Sequence, residues 1–156
     1  MATLPPTVQT VYNTGSQNLS VLVYPLPGVP GYESLGNAVA MTFNTVGTDV
    51  GTDATIDGAT GTITLATDVT FLITVHATTN SSTAGFYKFV DIENSVATGL
   101  PTPFGQTLSL TITPGVNDST ELTYHILACT ESGADWLYPA QIQNATLIVQ
   151  AISGFV

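Results

Sequence analysis

The regular alternation of threonine with aliphatic residues in short segments is the feature that most restricts how this chain can fold. In residues 69–77, every second residue is apolar, and threonine, leucine or histidine stands between. Residues 107–113 and 121–129 repeat the pattern, and residues 146–152 are apolar on both faces apart from one glutamine. Because successive side chains of a β-strand point to opposite faces of a sheet, the four segments are predicted to be strands.

Weaker alternation predicts five more strands, at residues 7–12, 18–24, 39–44, 62–65 and 86–92. Glycine and proline interrupt the chain so often that no window of helical length keeps a helical period. Short strands at this spacing are typical of an all-β protein whose two sheets pack face to face. The predicted fold is a jelly-roll β-sandwich of about eight to ten antiparallel strands.

The first 36 residues differ from the rest in their proline and glycine content. They contain Pro5-Pro6 and then a second stretch, residues 25–31, which cannot be a central strand because proline has no N–H to donate to a neighbour. We therefore predict an N-terminal arm or first hairpin at residues 1–36 and a jelly-roll domain at residues 37–156. A loop-rich first strand pair of the same domain is an equally open interpretation. If the segment is an arm, it is expected to contact a scaffold through Leu4, Val8, Val11 and Tyr12.

The charge balance excludes several kinds of partner. Lys88 is the only basic residue, against eleven acidic ones, and the formal net charge is −10. Binding to nucleic acid needs several lysines or arginines, and anionic lipid repels an acidic protein, so neither nucleic acid nor a membrane is an expected partner. A single cysteine, Cys129, cannot form an intramolecular disulfide or a cysteine zinc cluster. The N-terminus does not resemble a targeting segment, so synthesis in a host cytoplasm is expected.

Residues that could support catalysis or bind metal are few. His76 and His125 are the only candidate general bases, and both are predicted in the middle of strands, where a structural role is the usual one. We therefore assign no catalytic residue and no cofactor, and do not expect an enzyme. No metal site is predicted either. A calcium site is kept as an alternative because carboxylates cluster near turns, at Asp49, Asp53, Asp57 and Asp68.

A further pattern stands within residues 56–75, where Asp57, Thr60-Gly61, Asp68 and Phe71 follow one another at fixed spacing. In this pattern the segment resembles the core hairpin of the tumour-necrosis-factor-like jelly roll, in the form found in complement and collagen-associated globular heads. Residues 41–44, Trp136 and residues 146–152 are similar to other parts of that family. The resemblance implies a jelly roll of about ten strands that assembles as a homotrimer around a three-fold axis.

Such a trimer would bury apolar and aromatic side chains between its copies. Large apolar patches on a soluble protein usually mark interfaces, and aromatic residues are enriched there. We predict the interface at Phe71, Ile73, Trp136, Tyr138, Leu147 and Val149.

The function predicted from these features is that of a structural virion protein. A chain with one lysine offers little to a trypsin-like protease, and a proline-rich lead-in suits the grooves of a shell. We expect a capsid decoration (cement) protein of a phage, whose trimers bind the major capsid protein at the capsid surface and stabilise the shell. One alternative is the receptor-binding head of a viral fibre, recognising a host glycan or protein through residues 80–85, 91–105 and 133–139. The other is a secreted, complement-head-like trimeric ligand.

Overall fold

A computed structural model describes residues 6–18, 20–21, 39–79, 85–91, 96–115, 121–130 and 141–152. Within these ranges the secondary structure consists of strands, and no helix there could cross a membrane. The strands are β1 (Val8–Asn13), β2 (Gln17–Asn18), β3 (Ser20–Val21), β4 (Val39–Ala40), β5 (Thr45–Val50), β6 (Ala54–Asp57), β7 (Thr62–Ala66), β8 (Phe71–Thr79), β9 (Gly85–Asp91), β10 (Val96–Pro103), β11 (Thr107–Ile112), β12 (Glu121–Thr130) and β13 (Gln141–Ala151).

The strands form two sheets. Sheet A has the order β11-β8-β13-β1-β5, and the short β2 also pairs with β13. Sheet B has the order β10-β9-β12-β7-β6, and the short β3 and β4 also pair with β12. All pairings are antiparallel except the two-residue contact of β3 with β12. The predicted all-β sandwich of antiparallel strands is therefore confirmed.

The hydrophobic core lies between the sheets and follows the alternation in the sequence. In β8, the side chains of Phe71, Ile73 and Val75 are fully buried, whereas the residues between them are half-buried or exposed. Full burial of one such side chain stabilises the fold by about 1.5–3 kcal/mol. Sheet A adds Leu147 and Val149, and sheet B faces them with Ile63, Leu65, Tyr87, Phe89, Tyr124 and Ile126.

β1 lies in the interior of sheet A. It pairs with β13 on one side and with β5 on the other, and Val11 stands opposite Leu147 on the core side. The arm interpretation is therefore wrong for Val8, Val11 and Tyr12, because a strand that is hydrogen-bonded to a neighbour on each side cannot extend away from the domain. Leu4 and residues 22–38 lie outside the described residues.

The chain passes from sheet B to sheet A between β4 and β5, and Gln17 fixes this crossing. Its side-chain amide donates to the carbonyl oxygen of Thr42 (2.7 Å) and accepts from the Thr42 N–H (2.7 Å). The amide thus supplies the two hydrogen bonds that a neighbouring strand would otherwise provide. On either side of Thr42, Met41 and Phe43 are buried in the core.

The turn between β6 and β7 explains the Asp-Thr-Gly pattern. The Asp57 carboxylate accepts from the Ala59 N–H (3.1 Å), and the Asp57 carbonyl accepts from the Gly61 N–H (2.8 Å). Gly61 has φ +75°, and a Cβ there would collide with the carbonyl oxygen of Met41. Only glycine meets both conditions at this position.

Tyr87 connects the sheets by a polar contact inside the core. It belongs to β9 in sheet B, and its hydroxyl lies within hydrogen-bonding distance of the carbonyl oxygens of Val75, in sheet A, and Gln106. Burial raises the pKa of Tyr87, so the phenol remains protonated and able to donate.

We expect Tyr87→Phe to lower the free energy of unfolding by about 1 kcal/mol, because the variant keeps the ring and loses only the O–H donor. Urea denaturation measures this change. The control is Tyr12→Phe, which removes the hydroxyl from a tyrosine that is partly exposed. Equal effects of the two substitutions would contradict the role given to the Tyr87 hydroxyl.

Candidate subunit interface

The two histidines are too far apart in the fold to act together. His76 is exposed on the outer face of β8 in sheet A. His125 lies on the outer face of β12 in sheet B, with its Nε2 atom 3.1 Å from the Thr62 hydroxyl oxygen. Because the whole sandwich separates them, the two rings cannot share one catalytic site.

The aspartates of the calcium alternative form local hydrogen bonds instead of a metal site. Asp49 accepts from the Gln9 side-chain amide (2.6 Å), and Asp53 accepts from the Thr7 hydroxyl (3.1 Å). Asp57 caps its own turn, as described above. In the described parts of the chain, no three histidine, cysteine or acidic side chains lie close enough together to bind a metal ion. Asp49, Asp53, Asp57 and Asp68 therefore do not form the calcium site considered from the sequence.

Four of the predicted interface residues are part of the core. Phe71, Ile73, Leu147 and Val149 are fully buried between the sheets of a single chain and have no surface to offer to another copy. The interface prediction is wrong for these four, because alternation shows which residues share a face but not whether that face packs inside one chain or between chains. Trp136 and Tyr138 lie outside the described residues.

Among the described residues, the opposite face of sheet A is a broad surface without aspartate, glutamate, lysine or arginine, which we call the threonine face. The register of the strands places its residues in three rows across the sheet. The rows are Thr111, Leu72, Gln150, Val8, Val50; then Ser109, Thr74, Ile148, Thr10; then Thr107, His76, Thr146, Tyr12, Thr45. With strands about 4.8 Å apart, the face is about 19 Å wide.

The apolar members of the threonine face are only partly covered by the chain itself. Tyr12 and Val50 are each 37% exposed, and Leu72 and Ile148 are half-buried. The Tyr12 ring lies against Gly47 of β5, where a larger residue would displace it. This surface of threonine and aliphatic groups has no carboxylate or ammonium group, so burying it against another surface avoids the large cost of dehydrating a charge.

The acidic side chains that the structure describes lie elsewhere, and three of them follow one side of the sandwich. Strands β5 and β6 end sheets A and B on that side and are joined by residues 51–53. Asp49 in β5, Asp53 in the connection and Asp57 in β6 form what we call the acidic edge. Asp53 is tied to the sheet through Thr7.

The only basic side chain of the chain is not on its surface. Lys88 lies on the face of β9 opposite to Tyr87 and Phe89, beside Leu127 of β12, and is 3% exposed. Since the sequence has no arginine and no second lysine, the folded chain presents no lysine or arginine side chain to a partner.

Comparison with known proteins gives evidence at the level of the fold. No family model and no curated protein matches the sequence. Among solved structures, the chain is similar to vertex protein P5 of the phage PRD1, with 16% identity and a TM-score of 0.57. The alignment covers 96% of this chain and 98% of the vertex protein. The chain shares a jelly-roll fold with this protein. The globular domain of zebrafish complement 1qA protein aligns with 10% identity and a TM-score of 0.45. That alignment covers 97% of this chain and 100% of the zebrafish domain.

In this jelly roll, the hairpin residues that carried the sequence resemblance hold the turns in place. Asp68 ends the turn after β7 with φ +66°, and its N–H donates to the Pro114 carbonyl (3.2 Å). The resemblance is therefore confirmed for the fold. The trimer that it implied stays a prediction.

The burial of Lys88 predicts that its amine is protected in the folded protein. We expect N-hydroxysuccinimide acetate to modify Lys88 at least about a hundredfold more slowly in buffer than in denaturing urea, because modification requires local opening. Mass spectrometry of the peptide that contains Lys88 gives both rates. Equal rates would contradict the buried position.

The environment of His125 predicts a dependence of stability on pH. Burial lowers the pKa of His125 below its ordinary value of 6.5, so the folded state favours the neutral ring. As the pH falls below 6.5, the unfolded chain takes up the proton first, and stability is lost until the pH passes the folded-state pKa.

We expect His125→Gln to remove this part of the pH dependence. The free energy of unfolding is measured by urea denaturation at several pH values between neutrality and mild acid. The difference between variant and parent gives the contribution of His125, because the effect of the carboxylates is the same in both proteins. His76→Gln is the control, since His76 is exposed. If His76→Gln changes the pH profile as much as His125→Gln does, burial of His125 is not the cause.

Proposed function

We propose that this chain is a structural protein of a phage particle, a capsid decoration (cement) protein whose homotrimers bind the major capsid protein and stabilise the assembled shell. The threonine face is the observation that carries the proposal. It is a broad neutral surface on a strongly acidic chain, and its apolar residues are left partly uncovered. The fold similarity to a protein that is named as a phage vertex protein supports the same class of function.

Electrostatics favours the threonine face as the contact between copies. Each chain carries a formal charge of −10 and no surface lysine or arginine, so acidic groups of one copy find no basic partner on the next. Contact through a face without carboxylates keeps like charges apart, and charges beyond about 8 Å are largely screened at physiological salt. The subunit contact is therefore assigned to this face instead of to Phe71, Ile73, Leu147 and Val149.

The stabilising mechanism is mass action. A protein that binds only the assembled shell shifts the equilibrium toward assembly by RT ln(1 + [L]/Kd). A trimer presents three equivalent contacts, so a weak contact of each subunit becomes a strong attachment of the whole. No catalytic step is needed for this function.

We expect Thr74→Asp, at the centre of the threonine face, to weaken trimer assembly by about tenfold or more, because it places like charges in a dehydrated contact. Thr55→Asp is the matched control, since Thr55 is exposed at the edge of sheet B and undergoes the same chemical change. Analytical ultracentrifugation over a concentration series measures both. A parent protein that remains monomeric at all concentrations, or equal effects of both variants, would contradict the trimer.

Particles tested with and without the protein distinguish decoration from receptor binding. We expect shells that lack it to open at lower temperature and to adsorb to host cells normally, and added protein to restore the heat resistance. Loss of adsorption from shells of unchanged heat resistance would instead support the fibre-head alternative.

A further inference from the structure

β5 is an open edge of sheet A. Among the described residues it pairs only with β1, on one side, and all six of its residues are exposed. Val46 is 65% exposed and Val50 37%. An edge strand points a row of N–H and C=O groups away from its sheet, and that row can pair with an added strand.

The other edges of the sandwich are better protected than β5. β10 contains Pro101 and Pro103, which remove backbone donors, and β6 is only four residues long. β11 keeps its apolar side chains wholly or partly buried in the core. β5 has neither proline nor lysine, and its only irregularity is one shift of register opposite Thr10.

The charge around β5 indicates what kind of strand it can accept. Asp49 lies in β5, and Asp53 and Asp57 follow it along the acidic edge. A segment that carries lysine or arginine would meet opposite charge there. The β5 strand of a second copy would bring its own Asp49 and no cation, so pairing of two β5 strands is disfavoured.

We propose that β5 accepts an extended, lysine- or arginine-bearing segment of another protein as an added strand of sheet A. Backbone hydrogen bonds give the affinity, Val46 packs against its apolar side chains, and the acidic edge selects its charge. For the identity of the partner this inference rests on the proposed function, in which the segment belongs to the shell protein. The scaffold contact is then β5, in place of the arm residues Leu4, Val8, Val11 and Tyr12.

The probe is a synthetic hexapeptide of alternating lysine and valine, titrated into the full chain and followed by the amide resonances of β5. Two control peptides accompany it, one with glutamate in place of lysine and one with N-methyl groups on alternate amides. Two protein variants receive the same charge change on opposite edges of sheet A. These are Val46→Lys, on β5, and Gln106→Lys, at an exposed residue of the turn just before β11.

We expect the lysine peptide to bind the parent and Gln106→Lys equally, and Val46→Lys about tenfold or more weakly. The glutamate and N-methyl peptides should not bind. If both lysine variants weaken binding equally, general charge attraction explains the binding and the proposal is overturned. Unchanged binding of the N-methyl peptide would also overturn it. If the parent self-associates and Val46→Lys abolishes that association, β5 binds a second copy of the chain. This result would overturn the proposal of a basic partner.

Shell binding separates this inference from the proposed function. We expect Val46→Lys trimers to form normally in the ultracentrifuge and to lose binding to the shell, whereas Gln106→Lys trimers keep it. If Val46→Lys trimers bind the shell as the parent does, the shell contact is not at β5, although decoration itself stands. If the parent does not bind the shell, the proposed function fails, and the peptide titration still decides whether β5 accepts a basic strand.

Discussion

The packing of two apolar sheet faces against each other is the interaction on which the rest of this structure depends. Phe89 and Tyr124, from neighbouring strands of sheet B, stack with their ring centroids 4.6 Å apart, and Tyr87 reaches across to the backbone of sheet A. Aromatic pairs in this arrangement contribute about 0.5–1.5 kcal/mol beyond the area that they bury. Because this layer occupies the inner faces of both sheets, it determines which residues remain outside for contact with partners.

The shortage of basic residues gives those outer faces their character. A chain with a formal charge of −10 whose only lysine is buried has two kinds of surface, acidic and neutral. Among the described residues, the threonine face is a broad neutral surface, and three carboxylates follow the edge formed by β5 and β6. The proposals assign these surfaces to different partners for one reason: copies of an acidic chain meet best where neither is charged, and a basic partner binds best where carboxylates lie.

The strands that sequence alternation predicted and the strands that it missed differ in their position in the sheets. Alternation located β8, β11, β12 and β13 to within a few residues, and all but β11 have neighbours on both sides. It missed β5, β6 and β10, which are all edge strands. In β5 all residues are exposed, so nothing constrains them to alternate. The apolar pattern records burial, and an edge strand is held mainly by the backbone hydrogen bonds of its neighbour.

Taken alone, the sequence determined the two-residue period, the turns at Asp57, Gly61 and Asp68, and the scarcity of cations. Those properties are local or compositional, and they suffice for an all-β sandwich with a jelly-roll hairpin. The tertiary structure decided which face each strand turns inward. It placed Phe71 and Leu147 inside one chain and Thr74 outside, buried Lys88, and put β1 in the interior with β5 at the edge. Such choices depend on strand order and register across residues far apart in the chain, and no local pattern encodes them.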